Sequence, residues 1–222
     1  MPNQPSAASR RSPKRQSRRV GRPPGQLSEQ TRRAILTAAR DSFAQLGFER
    51  ATNREIAAAA GVTAAAMYRH FESKPDLYGA VVHDALAELV PQLRRSIANA
   101  PGARAAFRAL IESVETLDDR QRAAARFLAE LPNEMQRHPQ IAQRVLADPG
   151  EVLAIVSEIV EAGVRAHEIS QDKAQRAVSV MIASFMGIAA YVNTLGPSLG
   201  HEAIAGFIDL LDNRLFAPAT RG

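Results

Sequence analysis

Residues 51–77, ATNREIAAAAGVTAAAMYRHFESKPDL, contain two short helical segments separated by a turn at Gly61. Thr52 is followed three residues later by Glu55, which is the spacing of a capping box and predicts the start of the first helix. Thr63 is a suitable N-cap for the second helix. This stretch therefore predicts a helix-turn-helix, in which the second helix is free to enter the major groove of DNA.

The flanking sequence completes a small helical domain. Ser28 is a suitable N-cap for an upstream helix, and the apolar stripe that follows it ends at Gly47. Lys74-Pro75 fits the first turn of a downstream helix, which we expect Pro91 to interrupt. The small core shared by the two short helices is predicted to contain Ile56, Val62 and Met67.

The polar residues of this segment suit contacts with DNA. Threonine hydroxyls and free backbone N–H groups at helix starts can face phosphate, and Arg69 can bind guanine through two hydrogen bonds. Ala64 and Ala65 offer only methyl contacts, so DNA shape or the N-terminal arm is expected to supply part of the specificity. The predicted DNA-binding residues are Thr52, Arg54, Thr63, Ala64, Ala65, Tyr68, Arg69, His70 and Lys74, with Arg18, Arg19 and Arg22 of the arm. The alternative roles are helix caps for the threonines, core packing for Tyr68, and solvated surface for the rest.

Charge is distributed unevenly along the 222 residues. Residues 1–26 hold seven basic and no acidic residues, whereas the remainder holds 21 basic and 23 acidic ones. The arm is rich in Pro, Ser, Gln and Arg, so we predict that it is disordered until it meets a polyanion. Within it, Arg18-Arg19-Val20-Gly21-Arg22-Pro23 resembles an AT-hook core, which suits the minor groove. A solubility segment without a partner is the alternative.

Residues 103–216 show only helical periodicity, and no run alternates with period two for long enough to form a strand. The predicted fold is all-α with nine or ten helices. We divide it into an arm (1–26), a three-helix helix-turn-helix domain (27–73) and a helical effector-binding and dimerisation domain (74–217). The chain has no cysteine, and its longest apolar stretch, Val180–Val192, is shorter than a membrane span. We expect a cytoplasmic protein that does not insert into a membrane.

Residues 28–77 resemble the DNA-binding domain of the TetR family of transcriptional regulators. The features that carry the resemblance are Phe43-Ala-Gln-Leu-Gly47-Phe48, Thr52, Ile56-Ala57, Ala60-Gly61-Val62-Thr63, Met67-Tyr68-Arg69-His70-Phe71, Lys74 and Leu77. In that family the residues matched by Thr52, Tyr68, His70 and Lys74 commonly face the DNA backbone. The resemblance implies an Ω-shaped homodimer with a four-helix interface near the C-terminus.

Two apolar helix faces near the C-terminus are compatible with such an interface. The predicted interface residues are Val178, Ile182, Phe185, Ala189, Ile204, Phe207, Ile208 and Leu211. Packing inside one chain is the alternative for these faces. For a small apolar effector, the predicted pocket residues are Arg122, Arg126, Phe127, Met181 and Tyr191. Exposed charge and ordinary core packing are the alternatives there.

The sequence carries no pattern typical of an enzyme. The five histidines form no pair at metal-ligand spacing, and no phosphate-binding loop or nucleophile elbow is present. Asp118-Asp119 is interpreted as a helix cap. We expect neither cofactor nor metal, and the hypothesis is a repressor that an effector releases from operator DNA. An architectural DNA-binding protein with little sequence preference is one alternative, and a regulator acting mainly through protein partners is another.

Deleting residues 2–24 tests the role of the arm. Because each basic residue at phosphate displaces counterions, the deletion is expected to weaken DNA binding and to flatten its dependence on salt concentration. Fluorescence anisotropy with one duplex at several salt concentrations measures both effects. An unchanged slope would show that the arm does not contact DNA.

Overall fold

The computed structural model describes residues 24–147 and 150–215. In these residues the chain forms helices and no strands, which confirms the predicted all-α fold. The helices are α1 (Pro24–Arg50), α2 (Asn53–Ala59), α3 (Ala64–Tyr68), α4 (Lys74–Ile97), α5 (Ala103–Glu112), α6 (Asp119–Ala129), α7 (Leu131–Arg137), α8 (Pro139–Leu146), α9 (Gly150–Arg165), α10 (Ala174–Leu195) and α11 (Pro197–Leu211), with 3-10 turns at Ser113–Thr116 and Gln171–Lys173. These eleven α-helices of the described residues exceed the expected nine or ten.

Helices α1 to α3 form the N-terminal unit. Helix α1 begins at Pro24, ahead of the expected Ser28, so it includes the last residues assigned to the arm. Its helical geometry breaks at Gly47, whose φ of 75° favours glycine, as the sequence predicted. Helices α2 and α3 pack beneath it through buried Ile56, Ala57 and Met67.

Helix α4 is the longest element after α1 and connects the two units. Pro91 lies inside it, so the expected interruption there is wrong. Proline removes one backbone hydrogen bond, but the buried side chains Leu89, Val90 and Leu93 hold the helix against its neighbours on both sides of that position. Helices α1, α5, α6, α8 and α9 all pack against α4, which therefore runs through the centre of the molecule.

The boundaries of the C-terminal helices follow local signals in the sequence. Asp118 caps α6, since the backbone N–H of Gln121 donates to its side chain and the Gln121 side chain accepts from the backbone N–H of Asp118. The predicted cap is confirmed. Gly196, with φ of 84°, separates α10 from α11 at the expected break.

The two C-terminal helices bury the faces that the sequence assigned to a dimer interface. Ile204 and Ile208 are buried within the chain, and Val178, Ile182, Phe185, Phe207 and Leu211 pack partly buried against the same core. Phe207 stacks edge-on against Phe107 of α5, with ring centroids 5.8 Å apart. Ala189 is half-buried as well. These faces therefore pack mainly within one chain, and their part in a dimer interface stays a prediction.

A second, exposed apolar face remains on these helices. On α10, Val180, Ala183, Gly187 and Tyr191 recur at helical spacing and are all exposed. On α11, Leu199 and Leu210 are exposed in the same way. The segment Gln171–Val192 is long and apolar enough to cross a membrane, and only 6% of its most apolar window is buried. This finding differs from the expectation based on Val180–Val192 because the helix continues beyond the apolar run.

Gly163 lies where α9 packs closely against α5, and a single substitution at this position tests that packing. A Cβ at this position would lie 2.5 Å from the Ala103 Cβ of α5 and 2.9 Å from Ile169 Cδ1. We expect Gly163→Ala to lower the free energy of unfolding by about 1–3 kcal/mol, because overpacking outweighs the better helix propensity of alanine.

Chemical denaturation at one protein concentration measures this change, since stability and self-association are linked. The matched control is Gly79→Ala in α4, where a Cβ would meet its nearest neighbour, Arg144 Cβ, at an ordinary 3.4 Å. Equal effects of the two substitutions would contradict the close approach of α9 to α5.

Candidate nucleic-acid interface

The turn between α2 and α3 is fixed by backbone conformation and by caps at both helix starts. Gly61 adopts φ of 68°, which turns the chain between the helices. The backbone N–H of Glu55 donates to Thr52 Oγ1 at 3.2 Å, and the backbone N–H of Ala66 donates to Thr63 Oγ1 at 3.1 Å. Both threonines are therefore caps, and both remain exposed at the surface. The predicted helix-turn-helix is present.

Helix α3 buries one residue and exposes most of the others. Met67 is buried, while Ala64, Ala65 and Tyr68 are exposed and Arg69 follows at the exposed C-terminal end. The Tyr68 side chain is 52% exposed, so the alternative of a core tyrosine is excluded. Its hydroxyl accepts a hydrogen bond from Asn53 Nδ2 at 3.1 Å, which ties α3 to the start of α2. The exposed face is available to a ligand outside the chain.

The predicted DNA-binding residues of the helix-turn-helix are at least partly exposed. Thr52, Arg54, Thr63, Ala64, Ala65, Tyr68 and Arg69 are exposed, and His70 is half-buried. Arg18, Arg19 and Arg22 lie outside the described residues.

Lys74 has a structural role that the sequence did not indicate. Its Nζ donates to the carbonyl of Glu49 at 3.0 Å and lies 4.5 Å from the centre of the Phe48 ring. Burial lowers the pKa of Lys74, and the nearby carboxylates of Glu49 and Glu134 oppose that shift. The amine thus fastens the first turn of α4 to the end of α1.

A buried carboxylate joins the N-terminal unit to the C-terminal one. Glu134 of α7 accepts a hydrogen bond through Oε1 from the backbone N–H of Phe48 at 3.2 Å. Phe48 directly follows Gly47, the residue at which α1 loses its helical geometry. The Phe48 ring lies 4.9 Å from the imidazole of His138, centre to centre, and edge-on to Tyr78 at 5.5 Å. Burial, together with Glu134 and Glu130, raises the pKa of Tyr78. The end of α1 is therefore held by α4, α7 and α8 together.

A cleft of about 580 Å³ lies between α1, α6, α7 and α10. Of the predicted effector residues, Arg126 and Phe127 line it, as do Arg40, Tyr78 and Glu134. Arg122 instead lies on the exposed side of α6, 3.9 Å from Asp119. Met181 is buried in the core, and Tyr191 is exposed on α10. The structure therefore brings two of the five predicted residues together. Arg40 and Glu134 were missed because they are 94 positions apart with no shared motif.

No cluster of histidine and acidic side chains that could hold a metal ion occurs in the part of the chain that the structure describes.

Residues 35–81 match the family model of bacterial regulatory proteins of the TetR family. FasR of Mycolicibacterium smegmatis, named an HTH-type transcriptional activator, is 29% identical over 141 residues. KstR2 of Rhodococcus jostii, named an HTH-type transcriptional repressor, is 33% identical over 95 residues. Residues 35–81 therefore carry the TetR-family domain, and the chain is similar to regulators of that family beyond it.

The TetR-family likeness is closest in the N-terminal domain and extends as a fold over most of the chain. The two alignments span 63% and 42% of this chain, and 64% and 47% of FasR and KstR2 respectively. A TetR-family regulator from Rhodococcus sp. superposes with a TM-score of 0.68 at 17% identity, covering 84% of this chain and 99% of that one. FadR of Bacillus subtilis, solved in complex with stearoyl-CoA, gives 0.62 at 16% identity, covering 83% and 97%. These structures support the two-part TetR-family fold.

Proposed function

We propose that this TetR-family protein is a homodimer that binds operator DNA sequence-specifically through α3 and represses transcription until a small molecule releases it. The observation that carries the proposal is the exposed face of α3. Thr63, Ala64, Tyr68 and Arg69 are exposed there, while Met67 alone in the helix is buried. A helix held by its caps and one buried side chain presents its remaining surface to the major groove.

The relatives support a role in transcriptional regulation, but they differ in whether they activate or repress transcription. KstR2 and BepR of Brucella suis are named repressors, whereas FasR is named an activator. We infer repression because a bound dimer can block a promoter without any contact to the transcription machinery. The site of action is the cytoplasm, where bacterial DNA lies.

Dimerisation supplies the second copy of α3 that a palindromic operator needs. The exposed face of α10 and α11 defined by Val180, Ala183, Gly187, Tyr191, Leu199 and Leu210 is the surface we assign to the partner. A membrane is a poor occupant of this surface, because the opposite face of α10 packs on α9 and α11 within the domain. Small residues at Ala183 and Gly187 allow a second helix to approach closely. Half-sites are expected about one helical turn apart or somewhat more.

The release mechanism is a population shift. An effector that binds better to one spacing of the two α3 helices draws the dimer away from the DNA-competent form. FadR of Bacillus subtilis, whose structure contains stearoyl-CoA, supports a small-molecule effector for this fold. In this chain the cleft beside Arg126 and Phe127 is the space available to one.

Sequence-specific binding is tested by selection from a random duplex library with the full chain. We expect a palindrome to be enriched and to compete with random DNA at fixed salt. Arg69→Ala is then expected to weaken binding to the selected duplex by about 1–3 kcal/mol, because Arg69 is the one side chain at the end of α3 able to pair with guanine. Fluorescence anisotropy measures the affinity.

Arg165→Ala is the matched control, since Arg165 is also exposed but lies at the end of α9. It should leave DNA affinity unchanged. If no sequence is enriched and affinity depends only on salt, the architectural alternative replaces the proposal. If binding is retained after loss of Arg69 and Tyr68, the protein acts mainly through other partners.

The dimer surface is tested by a charge on the exposed face. Leu210→Glu is expected to yield a monomer at micromolar concentration, because a carboxylate without a partner is costly to bury in an interface. Light scattering after size-exclusion chromatography measures the mass. Leu146→Glu in α8, where the leucine is also exposed but on another helix, is expected to remain a dimer. A dimer in both variants would place the interface elsewhere.

A further inference from the structure

Arg40 is a buried cation with an incomplete set of partners. The residue is 6% exposed, and its Nη1 donates to Glu88 Oε2 at 2.7 Å. The other oxygen of Glu88 accepts from Arg120 Nη2 at 2.7 Å, so one carboxylate serves two guanidinium groups. Arg40 Nε has no hydrogen-bond partner among the described residues. A buried N–H without a partner is costly, and a buried positive charge that shares its counterion remains partly uncompensated.

Arg40 lies at one end of the cleft between α1 and α6, and the cleft continues along α1 to Gly47. Seven residues of helix span about 10 Å, which sets the length of this groove. Its middle is aromatic. Phe43 and Phe127 stand on either side of Tyr78, with ring centroids 4.9 and 5.2 Å away from it. These three rings are almost fully buried and form the apolar floor of the groove beside Arg40.

A second arginine of the cleft lining adds further positive charge. Arg126 lines the cleft from α6, is exposed, and forms no ion pair in the described part of the chain. Asp41 and Glu130 also line the cleft, as do Arg50 and Arg137, but only Arg40 among these arginines is a buried cation with an unpartnered N–H. At the far end stands Glu134, whose Oε2 is buried without a hydrogen bond, 3.3 Å from His138 Nε2.

We propose that this cleft binds a small amphipathic carboxylate, with the carboxylate between Arg40 and Arg126 and an apolar body about 10 Å long against Phe43, Tyr78 and Phe127. The site lies between the N-terminal unit and the C-terminal one, since Arg40 and Phe43 belong to α1 and Arg126 and Phe127 to α6. Only its effect on DNA rests on the proposed function.

The position of Glu134 explains how a ligand bound in the cleft affects the helix-turn-helix. The apolar body of the ligand ends near Gly47, where a Cβ would already meet Glu134 Oε1 at 3.2 Å. A molecule that moves α7 there weakens the hydrogen bond from the Phe48 N–H to Glu134. The end of α1 then loses one of its attachments to the C-terminal unit.

Isothermal titration calorimetry on the purified full chain, without DNA, tests the site. The probes are 2-naphthoate and 2-naphthylmethylammonium, which share a planar apolar body and differ in the sign of the charge. We expect one naphthoate per chain, and at least tenfold weaker binding of the ammonium compound. Arg126→Gln is expected to weaken naphthoate binding by roughly five- to tenfold, since a charge-assisted contact is lost. Arg122→Gln, one turn earlier on α6 and outside the cleft, should leave the affinity unchanged.

Three results would overturn the proposal: no saturable naphthoate binding at millimolar concentration, equal binding of both probes, or equal effects of the two arginine substitutions. Hydrogen exchange of the Phe48 amide gives a second readout. Its protection should fall when naphthoate is added and should not fall further in Glu134→Ala, which removes the acceptor. Because none of these measurements contains DNA, their failure leaves the helix-turn-helix proposal intact, and failure of DNA binding leaves the ligand site intact.

Discussion

The contacts that attach the end of α1 to α4 and α7 determine how the N-terminal unit is positioned on the rest of the molecule. Helix α1 loses its regular geometry at Gly47, and the backbone N–H of Phe48 then depends on a side chain from α7 for its hydrogen bond. Lys74 fastens the same segment from α4, and Tyr78 packs against both Phe43 and Phe48. Because only residues 69–73 separate α3 from α4, these contacts also constrain the orientation of α3. A buried carboxylate is tolerated here because it satisfies a backbone donor and has an imidazole beside it.

Features encoded by neighbouring residues could be predicted from the sequence. The caps at Thr52, Thr63 and Asp118 and the turns at Gly47 and Gly61 each depend on groups within a few residues, and all are present. The helix-turn-helix belongs to this class, because its local signals coincide with its fold. Pro91 shows the limit of such signals. A proline usually ends a helix, but burial on both sides of α4 outweighs the lost hydrogen bond.

Features that depend on distant packing could not be predicted in the same way. The faces of α10 and α11 that are richest in large apolar residues were assigned to a partner, yet they complete the core of their own chain. Hydrophobicity alone does not distinguish burial within a chain from burial between chains, since both remove the same surface from water. The cleft is a similar case. Arg126 and Phe127 could be suspected from their position on one helix, but Arg40 and Glu134 join them only through the packing of α1 against α6 and α7.

In the proposed dimer, the composition of α3 makes the spacing of the two copies more important than the chemistry of one helix. Three successive alanines offer methyl contacts alone, and Arg69 is the one long charged side chain at its end. A good bidentate contact discriminates against a wrong base by about 1–3 kcal/mol, and specific binding exceeds non-specific binding by about 4–10 kcal/mol. Two copies of one such contact cover only part of that difference. The remainder must come from the spacing of the two helices and from the shape of the duplex, which a rigid attachment of α1 can enforce. A displacement at Glu134 and Phe48 would then act on specificity through the position of α1 and not through a base contact.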